Sequence, residues 1–87
     1  MNPYTKLPET EILLALLGSS LRARRVELGE SQESVANRIG IDRTYYSSVE
    51  AGRRNVAFIN LCRIADGLAV SPSDLIQNIG WSARVGE

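Results

Sequence analysis

The chain has 87 residues, 44% apolar and 23% charged, with a net charge of zero. That is enough for one small domain hiding roughly 60–65% of its unfolded surface, and it argues against a disordered chain, a fibrous chain or a large enzyme cleft. Histidine is absent and Cys62 is the only cysteine, which excludes Ser-His-Asp and Cys-His catalysis, the usual zinc ligand sets and a disulfide framework, and points to a reducing compartment.

The punctuation divides the chain into short helical segments with little strand signal and no internal repeat. Pro3 and Pro8 break up residues 1–8, which read as an N-terminal arm. From Glu9, Ile12, Leu13, Leu16, Leu17, Leu21 and Leu28 recur largely at helical spacing until Gly29, giving a first helix. Its longest apolar run, residues 12–17, is six long against the ~20 that a membrane-spanning helix needs. It also lacks the flanks of a secretory signal, so the expectation is a soluble, cytoplasmic chain that touches no membrane.

Ser31 can cap a second helix over residues 32–39, with Val35, Ala36 and Ile39 as its apolar stripe and Gly40 as its stop. After a tight turn, Asp42 can cap a third helix running through Ala51 and closed by Gly52. Residues 53–55 form a loop. Phe58, Leu61, Ile64, Ala65 and Leu68 then repeat at three and four, giving a fourth helix that fades near Val70. Ser71-Pro72-Ser73-Asp74 starts a fifth helix carrying Leu75, Ile76 and Ile79, which Gly80 ends. Residues 81–87 show no periodicity and read as a C-terminal tail. The sequence therefore predicts an all-α chain of five helices: a domain over residues 9–80, an arm before it and a tail after it.

Charge is unevenly placed. Between Arg22 and Arg63 lie eight arginines against five acids, an excess of three, and the ends carry a matching acidic excess. Nine of the ten basic residues are arginine, whose planar fork suits bidentate contact with phosphate and guanine; the plainer reading is a solvated arginine-rich surface. The second and third helices, joined by a three-residue turn containing glycine, have the form of a helix-turn-helix. Drawn at 100° per residue, the third helix places Tyr46 and Val49 on one side and Arg43, Thr44, Ser47, Ser48 and Ala51 on the other. Small residues let a backbone approach the floor of the major groove, hydroxyls can meet base edges, and an arginine in the first turn can fork onto guanine. An ordinary exposed helix face would carry Glu and Lys instead.

The stretch SQESVANRIGIDRTYYSSVEAGRRN resembles the helix-turn-helix domain of phage repressor and Cro proteins, the XRE-like family, over about residues 17–79. Within that family, DRTYYSSVEAGRRNVAFINLCRIADGL is most similar to the controller proteins of restriction-modification operons, which are small dimeric regulators. The chain departs from that pattern in residues 1–16 and in Tyr46, where an aliphatic residue is usual. The resemblance implies a lambda repressor-like bundle with an N-terminally extended first helix. It also implies base contacts from Arg43, Thr44, Ser47 and Ser48, and backbone contacts from Gln32, Tyr45, Arg53, Arg54 and Asn55. For Gln32 the open N–H groups at a helix start favour an anion independently. Tyr46, sharing Val49's side, should point inward.

The resemblance further implies that Arg25 and Glu50 bridge the first helix to the third. Arg25 lies on the edge of an apolar stripe, where it needs a partner; otherwise it is one more exposed phosphate contact beside Arg22 and Arg24. Cys62 reads as packing rather than as a thiol sensor. If Phe58, Leu61, Ile64, Ala65, Leu68 and Leu75 pack inward against Leu21, Leu28, Val35, Ile39 and Val49, then Ile59, Ile76, Ile79 and Trp81 remain outside as a dimer interface. The expected function is that of a homodimeric, sequence-specific regulator on double-stranded DNA, with no enzymatic activity, no metal, no cofactor and no small-molecule substrate. The alternatives are an antitoxin or prophage-type repressor that also binds a partner protein, and a protein-interaction module that has lost DNA binding.

Overall fold

Capping side chains set three of the helix starts. The computed structural model describes residues 8–80, and there five helices follow one another without a strand: α1 (Pro8–Glu27), α2 (Gln32–Ile39), α3 (Arg43–Glu50), α4 (Phe58–Gly67) and α5 (Pro72–Ile76). The all-α class with a helix-turn-helix is as expected. Pro8 opens α1 instead of closing an arm; the rest of the expected arm, and the tail with Trp81, lie outside the described residues. The Ser31 hydroxyl accepts the Ser34 N–H at 3.0 Å, and the Asp42 carboxylate accepts the Tyr45 N–H at 3.1 Å. Ser71 and Asp74 exchange the reciprocal bonds of a capping box around Pro72. Gly40 ends α2 at φ 70°, a left-handed conformation that only a residue without Cβ takes freely.

The core gathers Leu17 and Leu21 from α1, Val35 and Ala36 from α2, Tyr46 and Val49 from α3, Ile64 and Ala65 from α4, and Leu68 and Leu75. Fully burying one such aliphatic side chain contributes about 1.5–3 kcal/mol. Tyr46 is 0% exposed. Against expectation, Phe58 is 71% and Leu28 36% exposed. Leu28 follows the last residue of α1, so helical spacing no longer aims it. Phe58 opens α4, and a side chain there leans back toward the helix start, past the edge of the core. Helix α5 stops at Ile76 instead of reaching Ile79. The Ile79 N–H bonds the Ile76 carbonyl at 2.9 Å, and this turn draws Ile79, expected outside, half-buried onto the core.

Two features fix the frame around α3 and α4. A Cβ on Gly18 would run into the carbonyl of Glu50, so α1 lies backbone to backbone against the C-terminal end of α3. At the end of α4, Ala69 takes φ 59°, a conformation that costs a residue with Cβ about 1–2 kcal/mol. Two arginines from other helices meet the carbonyls exposed there. Arg24 Nε donates to Leu68 O at 2.8 Å and Nη2 to Ala69 O at 3.4 Å, while Arg38 Nη2 donates to Gly67 O at 2.7 Å. Cations suit a helix C-terminus, where orphan carbonyls and the negative dipole end coincide. Among the described residues, no helix is long and apolar enough to cross a membrane.

Candidate nucleic-acid interface

Helix α3 turns Tyr46 and Val49 into the core, which forces its remaining positions outward. Arg43 and Thr44 are exposed and Ser47 and Ser48 half-buried. Together with Arg53, from the loop after α3, these four line one concavity. Its lining carries two guanidinium groups and three hydroxyls and no carboxylate, so it is rich in hydrogen-bond donors and suited to an electronegative surface.

The flanking residues are held differently. Tyr45 is half-buried, and its hydroxyl accepts from Asn60 Nδ2 at 3.2 Å. The Arg54 guanidinium lies over the Tyr45 ring, 5.1 Å from its centroid, and Arg54 Nε donates to Ser48 Oγ at 3.1 Å. Ser48 Oγ donates in turn to Tyr45 O at 2.6 Å. Tyr45, Ser48 and Arg54 thus form one interlocked group at the rim. Asn55 is exposed in the loop. Asn60 was not anticipated as a partner; its only signal was a polar position near the start of an apolar helix.

Behind this face lies an ion pair. Arg25 Nε donates to Glu50 Oε2 at 2.6 Å and Arg25 Nη2 to Glu50 Oε1 at 3.0 Å, with side-chain exposures of 13% and 4%. Arg25 Nη1 also donates to the carbonyl of Glu30 at 2.8 Å, tying the link before α2. Gln32, the first residue of α2, donates from Nε2 to Glu50 Oε1 at 3.0 Å; it stands apart from the concavity and is turned toward the ion pair. Burial by itself would raise the Glu50 carboxyl, but the bonds from Arg25 and Gln32 outweigh it and hold Glu50 below the usual carboxylate range. The Tyr46 hydroxyl is buried beside this pair with no hydrogen-bond partner among the described residues. Burial, reinforced by the Glu50 charge, pushes the phenol well above its ordinary value, so it stays neutral.

Several sequence-assigned roles are refined by this geometry. Arg24 and Arg38 serve the end of α4; Arg38 also pairs with Glu30 at 2.7 Å and Arg24 with Glu27 at 2.8 Å. Ile59 is 62% and Ile76 40% exposed. Cys62 is half-buried in α4. Among the described residues, no group of three cysteine, aspartate or glutamate side chains is placed to hold a metal ion.

Comparison with known proteins gives this arrangement its family. Residues 21–75 match the helix-turn-helix family HTH_3. Control protein C.MunI from a Mycoplasma species is 48% identical over 63 residues, covering 71% of this chain and 85% of that protein. The solved restriction-modification controller protein C.AhdI from Aeromonas hydrophila superposes with a TM-score of 0.70 at 40% identity, over 71% of this chain and 94% of that one. The controller protein C.Esp1396I, solved as a tetramer with its natural 35 base-pair operator, gives 0.70 at 29% identity over 86% and 96% of the two chains. With the concavity on α3, the capped turn before it and these relatives in view, the chain belongs to the helix-turn-helix family, alongside the restriction-modification controller proteins.

Proposed function

We propose that this protein is a sequence-specific regulator of transcription that acts in the cytoplasm as a homodimer on a palindromic double-stranded DNA operator, with no catalytic step and no cofactor. The observation that carries this reading is the carboxylate-free concavity formed by Arg43, Thr44, Ser47, Ser48 and Arg53 on the outward side of α3. Arg43 reads a guanine from the first turn of α3, and Thr44, Ser47 and Ser48 meet neighbouring base edges. Gln32, Tyr45, Arg53, Arg54 and Asn55 contact the sugar-phosphate backbone and set the register. The operator-bound controller among the relatives supports a DNA target.

One such helix buries too little surface to hold a site tightly. A two-fold pair of helices, about one DNA turn or ~34 Å apart, reads a palindrome. The exposed side chains of Ile59 and Ile76, joined by Phe58, supply the apolar surface for that pairing. Ile79, half-buried on the core, and Trp81 are the remaining residues of the proposed interface. Sedimentation at micromolar concentration tests the pairing: wild type should be dimeric and Ile76→Asp should shift toward monomer, and a wild-type monomer would remove this surface. Selection of bound sequences from a random duplex pool tests the function. A palindromic consensus with a fixed guanine in each half-site is expected; absence of enrichment would overturn the reading.

A further inference from the structure

Gln32 can donate from its side-chain amide nitrogen and accept at its oxygen, and a carboxylate can only accept. The contact at 3.0 Å between Gln32 Nε2 and Glu50 Oε1 therefore fixes which end of the amide faces the ion pair. Glu50 cannot swing away, because both its oxygens are held by Arg25 and its side chain is 4% exposed. Gln32 itself is half-exposed and opens α2, where the first backbone N–H groups have no intrahelical acceptor. The bond to Glu50 uses one of its two amide N–H groups, and the second remains as a donor for an anion. Without Glu50, rotation about the side-chain bonds could present the amide oxygen, or no amide group at all, to an anion arriving there.

We infer that Glu50, although buried and out of reach of DNA, is a positioning residue for phosphate binding: it holds the Gln32 amide so that a donor, and not an acceptor, faces the phosphate at the start of α2. The inference rests on the DNA-binding reading above and adds a role that the concavity on α3 does not contain. It also links the two helices of the motif. The ion pair that closes α1 onto α3 sets a contact made by α2, so Arg25 acts on the same contact through Glu50.

The test separates positioning from folding. Replacing both members of a buried ion pair by apolar residues of similar size is often neutral for stability, so Arg25→Met with Glu50→Leu removes the acceptor while filling the core. Affinity for the selected duplex is measured for wild type, Gln32→Ala, the paired replacement and the triple variant. In wild type, Gln32→Ala should lose about tenfold, the worth of one hydrogen bond to a charged group. It should leave the salt slope unchanged, since a neutral amide releases no counterion. In the paired replacement the same substitution should cost less than about twofold, because the amide is no longer held. Equal losses in both backgrounds, or no loss in wild type, would overturn the inference. Should the paired replacement fail to fold, side-chain amide NMR of the wild type decides: Gln32 ordered in free protein while exposed Gln77 is mobile supports it, and equal mobility of the two overturns it. A wild type that binds no duplex counts against the DNA-binding reading itself.

Discussion

Arg24, Arg25 and Arg38 are tied by hydrogen bonds to other parts of the fold, while Arg43 and Arg53 stand in solvent around one concavity. The first three meet carbonyls and carboxylates: Arg24 and Arg38 close the end of α4, and Arg25 joins α1 to α3 and to the link before α2. Each also pairs with an acid, Glu27, Glu50 and Glu30 respectively. Set aside these three pairs, and five arginines between Arg22 and Arg63 face only Glu33 and Asp42. The excess of positive charge in this region therefore resides wholly on arginines outside the ion pairs. A neutral protein can thus present a basic face, provided its acids are placed against the arginines that hold the fold.

The sharpest way to break this division is at Glu50. Glu50→Gln leaves Arg25 with an uncompensated charge and should cost roughly 3–5 kcal/mol, toward the lower end because Arg25 keeps 13% side-chain exposure. Against a total stability of about 5–15 kcal/mol that is a large fraction, read as a fall in the thermal midpoint. A midpoint within a degree or two of wild type would place Arg25 with the outer group. The same pair gives a pH signature. Glu50 titrates lower folded than unfolded, so its stabilisation is fully present above an unfolded value of about 4.3 and is lost as pH falls through the folded one. Glu50→Gln should flatten that acid limb.

Arg43→Ala tests the opposite group. It should leave the thermal midpoint nearly unchanged and cost about 1–3 kcal/mol on the selected duplex, relaxing preference at one position per half-site. An equal loss on random and selected DNA would remove Arg43 as a base reader. Arg54 stands between the groups, since it packs on Tyr45 and Ser48 yet remains exposed. Arg54→Ala should weaken all sequences alike and lower the salt slope by about one, measured by titration at several salt concentrations; an unchanged slope would assign Arg54 to the rim packing alone. The smallest effect belongs to Glu27, whose side chain is 69% exposed against Arg24. Glu27→Gln should cost less than about 0.5 kcal/mol in denaturant melts. A larger loss would mean that Arg24 acts through the ion pair and not through the carbonyls of α4.

Where the chain states its structure locally, it could be read. Ser31, Asp42, Ser71 and Asp74 carry side chains that bond backbone three residues away, so these helix starts follow from neighbours in sequence. The outward side of α3 was legible for a similar reason, since Tyr46 and Val49 fix its rotation. What could not be read depends on distant partners. Arg38 meets Gly67 and Arg24 meets Leu68 across 29 and 44 residues, and no periodicity connects them. Gln32 has an open helix start in sequence; only the approach of α3 shows that its amide is held by Glu50. Phe58 misled because spacing at three and four defines a stripe without saying where the core beneath it ends.

The backbone contact at Gly18 divides the labour of change along the chain. Any side chain there would strike the Glu50 carbonyl and lever α1 away from α3, so Gly18 is closed to variation. Arg43 and Thr44, a turn or two away on the same helix, project from a surface whose position is already settled by the backbone beneath it. Under the proposed base-reading role, their replacement would alter what the protein recognises while leaving the scaffold in place. A lineage built this way can drift to new targets through a few exposed positions, and a designer can exchange that face as a cassette while keeping the glycine that seats it.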